Sequence, residues 1–340
     1  MQRKSHENIL VLGAGNFGTC LAQHLARQEH SVTIWSRSSE QVQSINQNRI
    51  NNKYLTHIEL SENITATHQL SQALAQKPSA VVMAIPAQSL RSVLEQVSGQ
   101  IDPSQLVVCA AKGIEVGTGL LPSHIARDLL GPDISEKMVS LSGPSFAIEI
   151  AENQPTGVSV ASLSSDRANL AQTIFHSPRF RAYTSDDPTG LEVAGALKNV
   201  IAIAAGACAG LGFQANSRAT LITRGLAEMT RIGVALGANP LTFKGLGGVG
   251  DLFLTCSSEK SRNFTVGYKL GQGMKLPEVL EHLGSVAEGV ATSRSARNLA
   301  KKVGVMAPIT EAVYAVLHED KPILEVVNAL MSRDAKPEIS

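Results

Sequence analysis

The chain has 340 residues, a net charge of +1, 43% hydrophobic and 17% charged residues. That length suits two domains with sizeable cores, and a charge so near zero leaves no footprint for nucleic acid or an anionic membrane. Cys20, Cys109, Cys208 and Cys256 are scattered without paired spacing, which fits reduced core thiols rather than disulfides or a zinc site. The stretch from Met1 to Glu7 carries no apolar signal segment, so the expected location is the cytoplasm.

Asn8–Leu12 is a short apolar strand that runs into Gly13-Ala14-Gly15-Asn16-Phe17-Gly18 and then a helix from about Phe17 to Ala26. A G-x-G-x-x-G motif is weak alone, but one that follows a strand and opens a helix is a dinucleotide fingerprint. Gly13 permits the tight turn, Gly15 lets backbone approach the pyrophosphate, and Gly18 lets helix and strand pack closely. The helix amino terminus offers N–H groups and a positive dipole end to the phosphates. After the next strand, Ser31–Trp35, an NAD site usually places Asp or Glu, whereas this chain has Ser36-Arg37-Ser38. Arginine and two hydroxyls suit a 2′-phosphate, so the expected cofactor is NADP(H), with NAD(H) as second choice.

Strands at Ala80–Ile85, Leu106–Ala111 and Met138–Leu141 follow, spaced by helical patterns such as Ser89–Val97. Strands apolar on both faces imply a parallel sheet covered on both sides, with ligands at the carboxyl ends. Lys112, Gly143 and Ser145 fall at those ends, where a lysine can hold an oxyanion or a phosphate. Thr156–Ala161 and Phe180–Thr184 read as closing strands, and Asp186-Asp187-Pro188 ends the pattern.

From Pro188 the chain reads as helical. Gly190–Gly210 is an alanine-rich helix interrupted by Glu192, Lys198 and Asn199, with Glu192 and Asn199 on one face. Lys198 has Ala194, Gly195, Ile201 and Ala202 at three and four positions away. Desolvation there lowers the lysine pKa towards the working pH, and such a lysine can trade a proton in carbonyl reduction. A lysine snorkelling to the surface is the bland alternative. A membrane span is disfavoured by Lys198 and Asn199 near the middle of the run.

A helix over Ala219–Leu236 follows, and then a polar loop from Lys244 to Cys256 containing Gly247-Gly248-Val249-Gly250-Asp251. Ser261-Arg262-Asn263 sets a hydroxyl, a guanidinium and an amide side by side, a good set for a phosphate ester. Asp251 can orient a lysine ammonium or a substrate hydroxyl. Gly284–Thr292 opens another helix, at whose start Glu288 is ordinarily an exposed acid. Thr310–Leu317 and Ile323–Met331 are amphipathic tail helices that pack or dimerise.

The fingerprint, Lys112-Gly113-Ile114-Glu115, Ser142-Gly143-Pro144-Ser145-Phe146-Ala147, Glu192–Asn199 and Gly247–Leu252 together resemble bacterial glycerol-3-phosphate dehydrogenase, the soluble NAD(P)-dependent type, in order from about Ile9 to Leu330. The resemblance implies an α/β fold: a Rossmann-like, mostly parallel sheet domain over 1–187, then an all-helical domain over 188–340 like the C-terminal domain of 6-phosphogluconate dehydrogenase. It implies reduction of dihydroxyacetone phosphate to sn-glycerol 3-phosphate for phospholipid synthesis, with Lys198 as acid/base and Lys112 beside it. By the same resemblance Lys112, Gly143, Ser145, Lys198, Asp251, Ser261, Arg262 and Asn263 hold substrate, while Asn16, Phe17, Arg37, Lys112, Ala147, Arg262, Val286 and Glu288 line the cofactor. It also implies a homodimer, and no His, Cys and carboxylate cluster suggests a metal. The rivals are a β-hydroxyacid or 6-phosphogluconate dehydrogenase, disfavoured by Gly247–Asp251 and Ser261-Arg262-Asn263, and a non-catalytic NADPH sensor, disfavoured by Lys112 and Lys198.

Overall fold

The computed structural model describes residues 6–334, 337 and 338. The amino-terminal stretch 1–5, read above for a signal segment, lies outside the described residues. In chain order the first part runs β1 (Asn8–Leu12), α1 (Asn16–Ala26), β2 (Ser31–Trp35), α2 (Ser39–Asn48), β3 (Ile64–Thr67), α3 (Leu70–Ala75), β4 (Ala80–Met83), α4 (Ala87–Val97), β5 (Leu106–Cys109), α5 (Pro122–Leu130), α6 (Pro132–Ser135), β6 (Val139–Ser142), α7 (Ala147–Ala151), β7 (Thr156–Ala161), α8 (Ser165–Phe175) and β8 (Phe180–Ser185). The strands form one sheet in the order β3-β2-β1-β4-β5-β6-β7-β8. All pairs are parallel except β6 with β7.

The alternation of side chains along each strand explains why the runs are apolar throughout. Ile9, Val11, Ala80, Val82, Leu106 and Val108 point into one core layer. Leu10, Leu12, Val81, Met83, Val107 and Cys109 point into the other. Each face is covered by helices, so neither position of the two-residue repeat can be polar. The register aligns Leu12 with Trp35 and Met83, and Met83 with Cys109. The carboxyl ends of β1, β2, β4 and β5 therefore form one rim, which carries the Gly13 turn, Arg37 and the approach to Lys112.

The second part runs α9 (Pro188–Gly210), α10 (Ala215–Ala235), α11 (Asp251–Cys256), α12 (Arg262–Gly271), α13 (Leu276–Leu283), α14 (Glu288–Lys302), α15 (Pro308–His318) and α16 (Ile323–Met331). Asp187 caps α9 by accepting from Gly190 N at 2.8 Å, and Pro188 at the first helical position needs no donor partner. α9 is long and apolar enough to cross a membrane, but here the fold buries it as the axis of the helical core. α12 lies against it so closely that a Cβ on Gly206 would strike the Phe264 carbonyl, and one on Gly267 would strike that of Ile203.

The structure corrects the reading of Lys244–Cys256 as a loop. Thr242–Lys244 is a 3-10 turn, Leu246–Gly250 a π turn, and Asp251–Cys256 is α11. The glycines masked the helical period, yet Leu252 and Cys256 are four apart and fully buried beside α9 residues in the helical core. The helix expected from Gly284 begins at Glu288.

Candidate active site

The rim first builds a cradle for a dinucleotide. Gly13 has φ of 113°, a conformation that L side chains avoid, and a Cβ there would lie 2.6 Å from the Ala84 carbonyl oxygen. Gly15 caps α1 without a side-chain hydrogen bond, and a Cβ on it would meet nothing within 4 Å. The start of α1 thus has no side-chain cap and open space beside Gly15, which leaves room for a diphosphate at the helix amino terminus. Asn51 steadies the turn, its amide donating to Ala14 O at 2.9 Å and Thr19 Oγ1 at 2.8 Å. Gln41 donates to the same Ala14 carbonyl and accepts from Ser36. Arg37 is exposed at the end of β2.

Across the cleft, α14 presents Glu288. Its Oε1 accepts from Ala87 N at 3.3 Å, while its buried Oε2 has no partner among the described residues. Burial raises this carboxyl to about 7, against the pull of the Ala87 N–H and Arg262. The acid is thus withdrawn rather than exposed, and its orphaned acceptor suits a hydroxyl or amide of a bound nucleotide. The uncapped α1 terminus and this acceptor, on facing walls, fit a nicotinamide dinucleotide.

Between these walls lies the charged centre. Lys198 Nζ donates to Asp251 Oδ1 and Lys112 Nζ to Asp251 Oδ2, both at 2.7 Å. Lys198 also donates to Thr255 Oγ1 at 2.9 Å, and the Thr255 hydroxyl in turn donates to the Asp251 carbonyl at 2.6 Å. Asp251 and Thr255 meet the same ammonium because they are one turn apart on α11. Gly195 faces the same centre: a Cβ there would lie 3.2 Å from Ser142 Oγ and in ordinary contact with the Lys112 stem at 3.6 Å. Burial lowers the Lys198 ammonium to about 8; Asp251 opposes the shift and Lys112 adds to it. Burial pushes the Asp251 carboxyl up, but the two lysines together hold it below the usual carboxylate range. The carboxylate therefore stays ionised, and one N–H of Lys198 has no acceptor among the described residues.

The segment after α11 supplies the anion-binding groups. Arg262 is exposed at the first position of α12. Ser261 is buried, and its hydroxyl caps α12 by accepting from Phe264 N at 3.2 Å. Asn263 donates to Asn199 Oδ1 at 3.0 Å and accepts from Gly289 N at 2.9 Å, which ties α12, α9 and α14 together. The Ser145 hydroxyl donates to Gly143 O at 2.7 Å within the turn between β6 and α7.

The family model described as NAD-dependent glycerol-3-phosphate dehydrogenase N-terminus matches residues 8–168, and its C-terminal counterpart matches 187–328. This chain belongs to the NAD-dependent glycerol-3-phosphate dehydrogenase family. Glycerol-3-phosphate dehydrogenase, NAD(P)+, of Geobacter sulfurreducens is 48% identical over 98% of this chain and 99% of its own length. That of Leptospira biflexa is 48% identical over 97% and 99%. The crystal structure of the Coxiella burnetii enzyme matches with a TM-score of 0.92 at 35% identity, covering 96% of this chain and 99% of the other. The chain is accordingly an NAD(P)-linked oxidoreductase.

In this glycerol-3-phosphate dehydrogenase the structure brings Lys112, Lys198 and Asp251 into direct contact, although 139 residues separate the first from the last. Ser261, Asn263, Ser145 and Glu288 lie on the surrounding elements, while Arg37, Arg262 and Val286 are exposed. The shared face inferred for Glu192 and Asn199 does not give them a shared partner. Glu192 turns to the sheet domain and accepts from Ser140 Oγ at 2.8 Å and Ser123 Oγ at 2.7 Å, so it clamps the two halves together. Thr255, Gln41 and Asn51 escaped the sequence reading. Thr255 was findable once Asp251–Cys256 was seen as a helix, but nothing local marks Asn51.

Proposed function

We propose that this glycerol-3-phosphate dehydrogenase reduces dihydroxyacetone phosphate to sn-glycerol 3-phosphate with Lys198 as general acid, supplying the backbone of glycerophospholipids. The observation that carries this reading is the carboxylate of Asp251 bridging two lysines at 2.7 Å each in a buried cleft. NAD(P)H, when bound, supplies the hydride. Lys198 holds the proton for the carbonyl oxygen, and with Lys112 it stabilises negative charge growing there. Arg262 and Asn263 take the phosphate, so the reacting carbon is positioned by the charged end of the substrate. Lys112, Gly143, Ser145, Asp251 and Ser261 complete the substrate side. Gly13, Gly15, Asn16, Phe17, Gly18, Arg37, Ala147, Val286 and Glu288, with Arg262 shared between the two, form the cofactor side. Lys112 also lies 5.6 Å from the centre of the Phe17 ring, which supports its place at the junction of the two.

The proposal includes a boundary at 187/188, supported by the change from sheet to helices at Pro188. It includes a cytoplasmic location, supported by four free cysteines, and a homodimer, supported by α16, which buries no residue and exposes Leu324 and Met331. The test is oxidation of NADPH and of NADH followed by absorbance with dihydroxyacetone phosphate, beside Lys198→Ala. The expected result is turnover that requires this substrate and collapses in the variant. A folded protein that binds NADPH but does not turn over would overturn the assignment.

A further inference from the structure

A cavity of ≈ 630 Å³ opens between the sheet domain and the helical domain. Lys53, Tyr54 and Val116 line one side, and Val286, Val290 and Arg294 line the other. The lining contains no carboxylate. Neither Lys53 nor Arg294 has a carboxylate within ion-pair distance among the described residues. His318 also faces the cavity; burial and the neighbouring Arg294 lower its pKa, so it adds no charge at neutral pH. Two basic side chains, one from each domain, thus face a shared space.

The location of that space follows from Asn51. The amide that donates to Ala14 O in the glycine turn also accepts, through Oδ1, from Lys53 N at 3.2 Å and Tyr54 N at 3.1 Å. Lys53 is therefore one residue link from the turn that precedes the α1 amino terminus. The opposite wall includes Val286 and Ala287, next to Glu288, whose carboxylate reaches Ala87 beyond the end of β4. The cavity lies between the β2 end, which suits the adenosine, and the β4 end, which suits the nicotinamide. The group between those two in any nicotinamide dinucleotide is the diphosphate.

We propose that Lys53 and Arg294 are a pair of diphosphate-binding cations that close over the cofactor from opposite domains. The inference rests on the dinucleotide reading of the cradle and adds two residues to it. Arg37 reads the adenosine end and touches only a 2′-phosphate, whereas Lys53 and Arg294 contact what NADPH and NADH share. Because both side chains are exposed, their attraction is screened and each contributes modestly.

The test is a fluorescence titration of NADPH and of NADH, without substrate, on the full chain and on Lys53→Ala, Arg294→Ala and Arg37→Ala. Lys53→Ala and Arg294→Ala are each expected to raise Kd about threefold, roughly 0.7 kcal/mol, for both cofactors alike. Arg37→Ala is expected to raise it for NADPH alone. Lys53→Arg is expected to restore binding, and each alanine variant to flatten the salt dependence of Kd. Unchanged Kd values, or a loss confined to NADPH, would overturn the assignment to the diphosphate. A wild-type protein that binds neither cofactor would instead overturn the dinucleotide reading beneath it.

Discussion

Replacing Asp251 by Asn tests how the charged centre sets the proton affinity of Lys198. The substitution keeps the shape of the side chain but removes the negative charge that two buried ammoniums share at 2.7 Å. Burial already lowers Lys198 to about 8 even with that carboxylate in place. An opposite charge at ~4 Å contributes about 4 kcal/mol at an effective dielectric of ~20, equivalent to roughly 3 pKa units. With partial relaxation, and with the Lys112 ammonium still beside it, a fall of about 2 units is expected, to about 6. At about pH 7.5 roughly three-quarters of wild-type Lys198 carries the required proton, against a few per cent in Asp251→Asn, so kcat for reduction should fall about 25-fold. The assay is the pH profile of kcat for NADPH oxidation at saturating substrate. Because the acid form donates the proton, the wild-type rate is lost as pH rises through about 8. In the variant that limb should move down to about 6, and activity should largely recover near pH 5.5. A variant that is slower by the same factor at every pH, with its limb still near 8, would refute the claim that Asp251 sets the proton affinity of Lys198.

With NADPH saturating, Arg262→Ala should lower kcat/KM for dihydroxyacetone phosphate by roughly 10- to 100-fold, the worth of one charge-assisted hydrogen bond, and leave the slow reaction of unphosphorylated dihydroxyacetone unchanged; equal losses on both would remove Arg262 from the phosphate site. Glu288→Gln should raise the thermal midpoint at about pH 8, by up to about 3 kcal/mol of stability, and have little effect near pH 4. The sign follows from a folded pKa raised to about 7: the protonated form is favoured in the fold, so stability is lost as pH rises between the ordinary carboxylate range and about 7, and Gln removes that loss. Equal midpoints at both pH values would contradict it. Gly206→Ala should cost at least about 2 kcal/mol in urea unfolding, because the new methyl group meets the Phe264 carbonyl across the α9–α12 contact; a neutral result would mean that this packing is looser than described.

The sequence determined most of what depends on local pattern. Ser31–Trp35, Thr156–Ala161 and Ile323–Met331 occur with the boundaries that their composition suggests. Gly13-Ala14-Gly15-Asn16-Phe17-Gly18 was legible because its residues are contiguous and the backbone turn requires them. Lys198 alone reads as well as a lysine snorkelling to the surface; it stands out only together with Lys112, Ser261-Arg262-Asn263 and the glycine fingerprint. Where the period was hidden, as in Lys244–Cys256, the reading failed. Glycine carries no side chain with which to mark a face, and α11 is decided by the burial of Leu252 and Cys256 against α9.

Only the tertiary structure decided which polar groups meet. Helical spacing shows that Glu192 and Asn199 share a face, yet one reaches Ser123 and Ser140 and the other Asn263. Nothing within a few residues of Lys112 announces that its ammonium shares a carboxylate with Lys198, or that Asn51 holds the glycine turn. Periodicity fixes the direction of a side chain relative to its own element. Its partner, and through burial its proton affinity, comes from an element distant in the chain, placed there by the packing of two cores.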